Sequence, residues 1–305
     1  MNPSYQKHFP VMLPEVLSSL EPQSDNIYVD ATFGNGGYSE AILQKTNCKV
    51  IAIDRDPTVL PRVQEFKDLY GDRFDFCQGC FGDISDLIQH PVDGFVFDIG
   101  VSSMQLDQAE RGFSFSKSAP LDMRMSCSGQ TAADLVNTLP EKELADLIYR
   151  YGEEKKSRQV ASRIVAYRAT KKIETTTELA DIVYSVIHRT PHGIDPATRT
   201  FQALRIAVNH ELDELENGLN AAISLLKPQG RIVVVSFHSL EDRIVKTIFR
   251  DKSGHHAHVS RYMPQNTLTQ TSDLVNVSKV ILPSQKELDI NPRSRSAKLR
   301  FAQKR

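Results

Sequence analysis

Short apolar runs alternate with helical stretches through the first third of the chain. Residues 27–30 (IYVD) and 49–54 (KVIAID) read as buried strands, each ending in an acid. Residues 74–77 alternate as a strand does, and 92–99 (VDGFVFDI) form a fourth run whose strand ends at Asp98. Helical patterns occupy 39–45 and 57–69, the latter with Pro57 in its first turn, and 83–88 can make a short helix. This alternation predicts an α/β fold with a parallel sheet covered by helices.

The rhythm breaks at about residue 108, and no buried strand is evident as far as 204. Helical patterns fill that stretch at 131–137, 141–149, 153–169 and 177–188, with Thr131 and Thr177 as N-caps. A long helical pattern covers 203–226 and stops at Pro228-Gln229-Gly230. A buried strand over 231–236, a helix over 240–249 and strands over 275–282 and 297–302 complete the pattern. Residues 251–275 are polar and read as a mobile loop. The expected organisation is a core built from 1–107 and 207–305, interrupted by a helical insertion over 108–206 that serves substrate recognition.

Composition narrows the class. The chain has 305 residues, is 40% hydrophobic and carries 37 basic against 38 acidic side chains, a net charge of −1. That is enough apolar material for a sizeable core, and the wrong charge for a protein that coats nucleic acid by charge alone. No apolar run approaches the ~20 residues that span a bilayer. No secretory signal is visible, and the first arginine is Arg55, which argues against an Arg-rich transit peptide. Four cysteines do not make a disulfide scaffold, so a reducing, cytoplasmic setting is expected.

Candidate chemistry begins after the first strand. Phe33-Gly34-Asn35-Gly36-Gly37-Tyr38 is a glycine-rich turn between a strand and a helix, where a ligand can approach the backbone above a helix N-terminus. Asp54 lies twenty residues after Gly34, at the end of the second strand, where a carboxylate can take both hydroxyls of a ribose. A dinucleotide site wants a third glycine where this chain has Ser39. S-adenosylmethionine (SAM) has no pyrophosphate and wants an acid near the loop for its ammonium group; Asp30 stands four residues ahead of Gly34. The spacing therefore points to an adenosine cofactor, SAM before a dinucleotide; an oxidoreductase is the lesser alternative.

Six further segments carry a resemblance: 98–107 (DIGVSSMQLD), 111–115 (RGFSF), 120–125 (PLDMRM), 197–209 (ATRTFQALRIAVN), 236–243 (SFHSLEDR) and 291–300 (NPRSRSAKLR). Together, from His8-Phe9-Pro10-Val11 to the C-terminus, they closely resemble the RsmH (MraW) family of bacterial small-subunit rRNA cytosine-N4 methyltransferases. The resemblance implies a class I SAM-dependent (Rossmann-like) methyltransferase with a helical insertion. It implies as substrate the exocyclic amine of one cytidine in the decoding region of 16S rRNA, with the assembled small subunit favoured over naked RNA. It implies cofactor contacts at Gly36, Gly37 and Tyr38, Asp54 on the ribose, Phe81 beside the adenine, and Asp98 and Gln105 completing the pocket. Where this chain has Tyr38 the family commonly has His, and where it has Asn35 often a basic residue. A non-catalytic rRNA-binding or assembly factor retaining the fold is the other alternative.

Methyl transfer needs an acceptor held in line, and cytosine shares its amino lone pair with the ring. A group accepting a hydrogen bond from that amine would help it react. Asp98 is the first candidate, with Ser102, Ser103 and Asp107 close alternatives; serines at such positions also cap turns. Similar amine methyltransferases carry a polar residue followed by Pro-Pro-aromatic here, whereas this chain reads Asp98-Ile99-Gly100-Val101. Ser236 and His238 are expected at the same sheet edge, lining the cytidine pocket, with Ser239 and Asp242 as a helix cap. A hydrolase reading of these residues lacks the nucleophile elbow. Cys77-Gln78-Gly79-Cys80 is a single pair and His255-His256-Ala257-His258 lies in a polar loop, so no metal is expected. Basic residues cluster at Lys155, Lys156 and Arg158, and at Arg293 and Arg295, expected on one face of the last strand; with Arg111 they are the candidate RNA contacts. The oligomeric state stays open, a homodimer being one reading.

Overall fold

The computed structural model describes residues 10–191, 193–254 and 272–305. Runs of apolar and β-branched residues form a seven-stranded sheet: β1 (Ile27–Asp30), β2 (Lys49–Asp54), β3 (Phe74–Gln78), β4 (Val92–Asp98), β5 (Leu226–Ser236), β6 (Leu274–Val275) and β7 (Lys298–Lys304). The strand order is β3-β2-β1-β4-β5-β7-β6. Strands β1 to β5 pair in parallel; β7 runs antiparallel to β5 and β6. The order reverses between β1 and β4, and in such sheets the crevice at that reversal, outside the carboxyl ends of the strands, receives ligands.

Alternation along each strand sends neighbouring side chains to opposite faces. Phe95, Phe97, Ile232 and Val234 fall in one apolar cluster, with Leu215 and Leu219 of α11 (Glu211–Leu225) and Phe249 of α12 (Ser239–Lys252). Val96, Val233 and Val235 fall in another, with Val16 of α1 (Leu13–Leu20), Ile42 of α2 (Gly37–Lys45) and Phe66 of α3 (Leu60–Tyr70). Two short helices, α4 (Ile84–Leu87) and α13 (Gln285–Ile290), complete this part.

The chain divides into two compact units. The core unit comprises Met1–Gly100 and Leu212–Arg305; the inserted unit is Val101–Glu211. These junctions lie a few residues from those expected at 107 and 206. The inserted unit contains α5 (Ser103–Asp107), α6 (Ala132–Thr138), α7 (Glu141–Gly152), α8 (Ser157–Arg168), α9 (Thr176–Tyr184) and α10 (Ala197–Asn209). Its own apolar cluster includes Leu144, Ile148, Val160, Ile164, Leu179 and Leu204, all fully buried. Buried Asn209 ties the 120–125 segment to α10: it accepts from the Met125 amide at 2.8 Å and donates to the Met123 carbonyl at 2.7 Å.

Several expectations need correction. The helix expected over 203–226 is two helices, because His210 sits in the left-handed region at φ 52°. The helix expected from 153 starts at Ser157, after Glu153 at φ 51°. Thr175, not Thr177, caps α9, because Glu178 closes a reciprocal capping box with it. The strand expected over 275–282 shrinks to β6 plus an isolated bridge from Ile281 to Leu299. Arg293 and Arg295 lie in a 3₁₀ turn, Pro292–Ser296, ahead of β7 rather than on it. No helix among the described residues is long and apolar enough to cross a membrane.

Candidate functional site

The crevice of the core unit follows from a change of hydrogen-bonding partner. Just past β1, the Ala31 amide donates to Val96 of β4 at 2.9 Å, but the Phe33 amide donates to Ile53 of β2, also at 2.9 Å. Within two residues the chain swings from one neighbour to the other. The turn that follows holds Gly34 at φ 52° and Gly36 at φ 79°, in the left-handed region that favours glycine. A β-carbon on Gly36 would meet the Phe66 ring at 2.5 Å, and one on Gly37 would meet Pro10 at 2.3 Å. Helix α2 starts at Gly37, so its first amides face the end of this loop.

Asp30 anchors the loop from beneath. It is fully buried and accepts from the Ser39 hydroxyl at 2.7 Å and from the Ser39 and Thr32 amides at 3.2 Å each. In this structure the carboxylate is engaged with the loop itself. Burial pushes its pKa up to about 6, against those hydrogen bonds. Asp54 is half-buried at the end of β2. It accepts from the Gly34 amide at 2.7 Å and from the Asp56 amide at 2.9 Å. Burial raises it, too, to about 6.

The side chain of Tyr38 does not face the loop. It is buried, and its hydroxyl donates to the Val11 carbonyl. Any ligand contact at this position is left to the backbone. Phe81 opens a 3₁₀ turn after β3 and packs edge-on against Phe97, with ring centroids 5.8 Å apart.

Asp98 is the last residue of β4. Its amide donates to the Thr32 hydroxyl at 2.7 Å. Its carboxylate Oδ1 is buried and has no hydrogen-bond partner among the described residues. Desolvation first, then the charges of Asp30 and Glu241, push this carboxyl up to about 8. At the end of β5, Ser236 is buried and its hydroxyl lies 3.4 Å from the Lys298 carbonyl. His238, rather than Ser239, caps α12: its Nδ1 accepts from the Glu241 amide at 3.4 Å, and Glu241 accepts in return from the Phe237 and His238 amides at 2.8 and 3.1 Å. Nε2 of His238 lies 2.9 Å from Oε1 of Glu241, without hydrogen-bond geometry. Asp242, expected in the cap, instead accepts from Arg300 of β7 at 2.7 Å.

Most of the remaining candidates belong to the inserted unit. Ser102 and Gln105 form the capping box of α5, at 3.2 and 3.0 Å, which commits both side chains locally. Ser103 is the first residue of α5, its side chain outside the described part, and Asp107 is exposed at the end of that helix. Arg111 donates to the Arg124 and Met125 carbonyls at 2.9 Å each, folding the 111–125 segment. Lys155, Lys156 and Arg158 are exposed at the start of α8, and Lys156 donates to the Val186 carbonyl at 3.4 Å. In the core unit Arg293 and Arg295 are exposed. Cys77 and Cys80 are free thiols, both half-buried. The histidine run at 255–258 lies outside the described residues.

Two residues of the crevice escaped the sequence reading. Thr32 was visible inside the glycine-loop pattern, but nothing local marks its hydroxyl as reaching β4. Glu241 read as an ordinary first-turn acid of a helix.

Comparison with known proteins places these features in a family. A model of the MraW methylase family matches residues 5–305. The ribosomal RNA small subunit methyltransferase H of Rhodospirillum rubrum is 53% identical over 306 residues, covering 97% of this chain and 94% of that relative. The protein of the same name from Rickettsia africae is 51% identical over 300 residues, covering 97% and 98%. Among solved structures, an rRNA methylase from Streptococcus thermophilus is 11% identical with a TM-score of 0.40, covering 95% of this chain and 92% of that one. From the glycine loop to the last strand, the chain belongs to the MraW methylase family.

Proposed function

We propose that this protein transfers a methyl group from SAM to the exocyclic N4 of one cytidine in the decoding region of 16S rRNA, acting in the cytoplasm on the small ribosomal subunit. The observation that carries the reading is the Asp98 carboxylate, whose buried Oδ1 stands without a hydrogen-bond partner among the described residues at the carboxyl end of β4. A buried, unsatisfied carboxylate oxygen is costly, and such atoms persist where a ligand completes them.

The crevice residues fit SAM. The left-handed Gly34 and Gly36 leave two loop positions without side chains, and the half-buried Asp54 carboxylate suits a ribose diol. Gly34, Gly36, Gly37, the backbone of Tyr38, Asp54 and Phe81 would hold the cofactor, and Asp30 would hold the loop that holds it. When bound, SAM supplies a methyl group already activated on a sulfonium. The protein's task is then positioning. Asp98 Oδ1 accepts a hydrogen bond from the cytosine amine, turns the nitrogen lone pair toward the methyl group, and can take the proton released when the new N–C bond forms. Only the ionised carboxylate can accept that proton, and with the carboxyl raised to about 8 this form, and with it the rate, grows as the pH rises toward and past 8. Gln105, Ser102, Ser103 and Asp107 are the candidates that the inserted unit supplies. Lys155, Lys156 and Arg158, with Arg293 and Arg295, would meet RNA phosphates. The cytidine must leave its stack, which an open rRNA loop eases.

The test is transfer of labelled methyl from SAM to small subunits lacking the modification, followed by nucleoside mass analysis, with Asp98→Ala in parallel. N4-methylcytidine that disappears with the variant is the expected result. Tight SAM binding without transfer would overturn the reading in favour of another acceptor or an assembly role.

A further inference from the structure

We propose that Thr32 is a positioning residue for methyl transfer: its hydroxyl, held on the Asp98 amide, fixes the end of β4 and so the direction in which the Asp98 carboxylate enters the crevice. The inference rests on the reading of Asp98 given above. It begins with the ladder between β1 and β4. Tyr28, Val29 and Asp30 of β1 register with Gly94, Phe95 and Val96 of β4. After the Ala31 amide bonds to Val96, the backbone of β1 leaves for β2, as the Phe33-to-Ile53 bond records. Asp98 is thus the first residue of β4 whose amide faces a strand that has turned away. The Thr32 side chain fills the gap, accepting that amide at 2.7 Å. A side-chain oxygen extends the ladder at the point where the crevice opens.

The same residue reaches the other buried acid. Its amide donates to Asp30 Oδ1 at 3.2 Å, while its hydroxyl accepts from Asp98. Asp30 and Asp98, which repel each other's ionised forms, are therefore tied through one threonine. A hydroxyl that accepts an amide has its own proton left to give. Losing the hydroxyl would free the Asp98 backbone, leave a buried amide without an acceptor, and let the carboxylate drift relative to its neighbours. Reactions that depend on alignment lose about 100-fold in rate for a displacement near 1 Å.

The experiment compares Thr32→Val, Thr32→Ala and Thr32→Ser with the parent and Asp98→Asn. It measures SAM affinity, kcat and KM on small subunits, and the pH dependence of kcat. The two hydroxyl-free variants are expected to lose about 10- to 100-fold in kcat. Their SAM affinity and KM for the subunit should stay within about 3-fold, about 0.7 kcal/mol, and the midpoint of the pH profile should move. Thr32→Ser should recover most of the rate and the parent midpoint. Parent-like kcat in either hydroxyl-free variant overturns the proposal, as does loss of folding in both, which would make the hydroxyl structural only. Parent-like activity of Asp98→Asn would instead sink the role given to Asp98, whatever Thr32 does.

Discussion

The Tyr38 hydroxyl donates to the Val11 carbonyl, fastening the segment ahead of α1 to the first turn of α2. Pro10 lies against Gly37, and the Met12 amide donates to Glu287 at 3.2 Å. This side chain is therefore engaged with the chain's own segment ahead of α1 and not with the glycine loop. Tyr38→Phe is expected to cost about 1 to 3 kcal/mol by leaving a carbonyl unmet, with SAM affinity unchanged within about 3-fold. Thermal denaturation and calorimetric titration test both; a tenfold loss of affinity would show that the hydroxyl serves the cofactor.

Asp98 makes stability depend on pH with a defined sign. Its carboxyl is raised from the ordinary range to about 8. Between those limits the folded chain holds a proton that the unfolded chain has released, so stability falls as pH rises through that window. Asp98→Asn removes this dependence. The variant's melting temperature should gain on the parent's between pH 5 and pH 8.5, by an amount worth a few kcal/mol at the upper end. A difference that does not vary with pH would contradict the assignment.

Arg300 is engaged inside the fold. It meets Asp242 at 2.7 and 3.3 Å, bonding β7 to α12, while Lys298 lies 3.7 Å from the same carboxylate. Burial opposes ionisation of Asp242, but the Arg300 hydrogen bonds and the two positive charges outweigh it and hold the carboxyl below its usual range. Arg300→Ala should cost about 2 to 4 kcal/mol near neutral pH. That deficit should shrink as the pH falls through the depressed pKa of Asp242, because the pair's contribution is present above the ordinary carboxylate range and lost in acid. Denaturant titrations at pH 7 and pH 3 distinguish this from loss of an RNA contact.

Lys155, Lys156 and Arg158 stand exposed together at the start of α8. Replacing all three with alanine should weaken rRNA binding and lower the slope of log affinity against log salt by about 2 to 3. The fold should persist with at most a small loss of stability, since none of the three belongs to the apolar cluster and, among the described residues, their one side-chain bond is the exposed one from Lys156 to Val186. An unchanged slope would remove this helix end from the RNA contact surface.

Residues that act through their neighbours in sequence were legible; residues that act across the fold were not. Strands β1 and β2 announce themselves because an apolar run is cut off by an acid, and the glycine loop because three glycines sit between a strand and a helix. The segment 276–282 looks equally apolar, yet Val277, Val280 and Leu282 are exposed, and it meets β7 through scattered bonds from Ser278 and Ile281 instead of a continuous ladder. Nothing local warns that His210 adopts a left-handed conformation and splits a helix. In the site, Asp54 and Asp98 were readable from strand ends. The commitment of Asp30 to Ser39, of Tyr38 to Val11 and of Thr32 to Asp98 joins residues 9, 27 and 66 positions apart, and no spacing rule reports it.

The pairing of β4 with β5 carries a consequence for the order in which the chain is made. Strand β4 ends at Asp98, and its neighbour begins only at Leu226, after the whole inserted unit. On a ribosome, β4 therefore emerges with one edge open and waits while the helices of Val101–Glu211, a continuous stretch with its own apolar core, are synthesised and can pack. The crevice gains its β5 side only after the whole inserted unit has been made. The sheet beside Asp98 is therefore completed late, and products truncated before Leu226 carry the glycine loop without the strand that completes it.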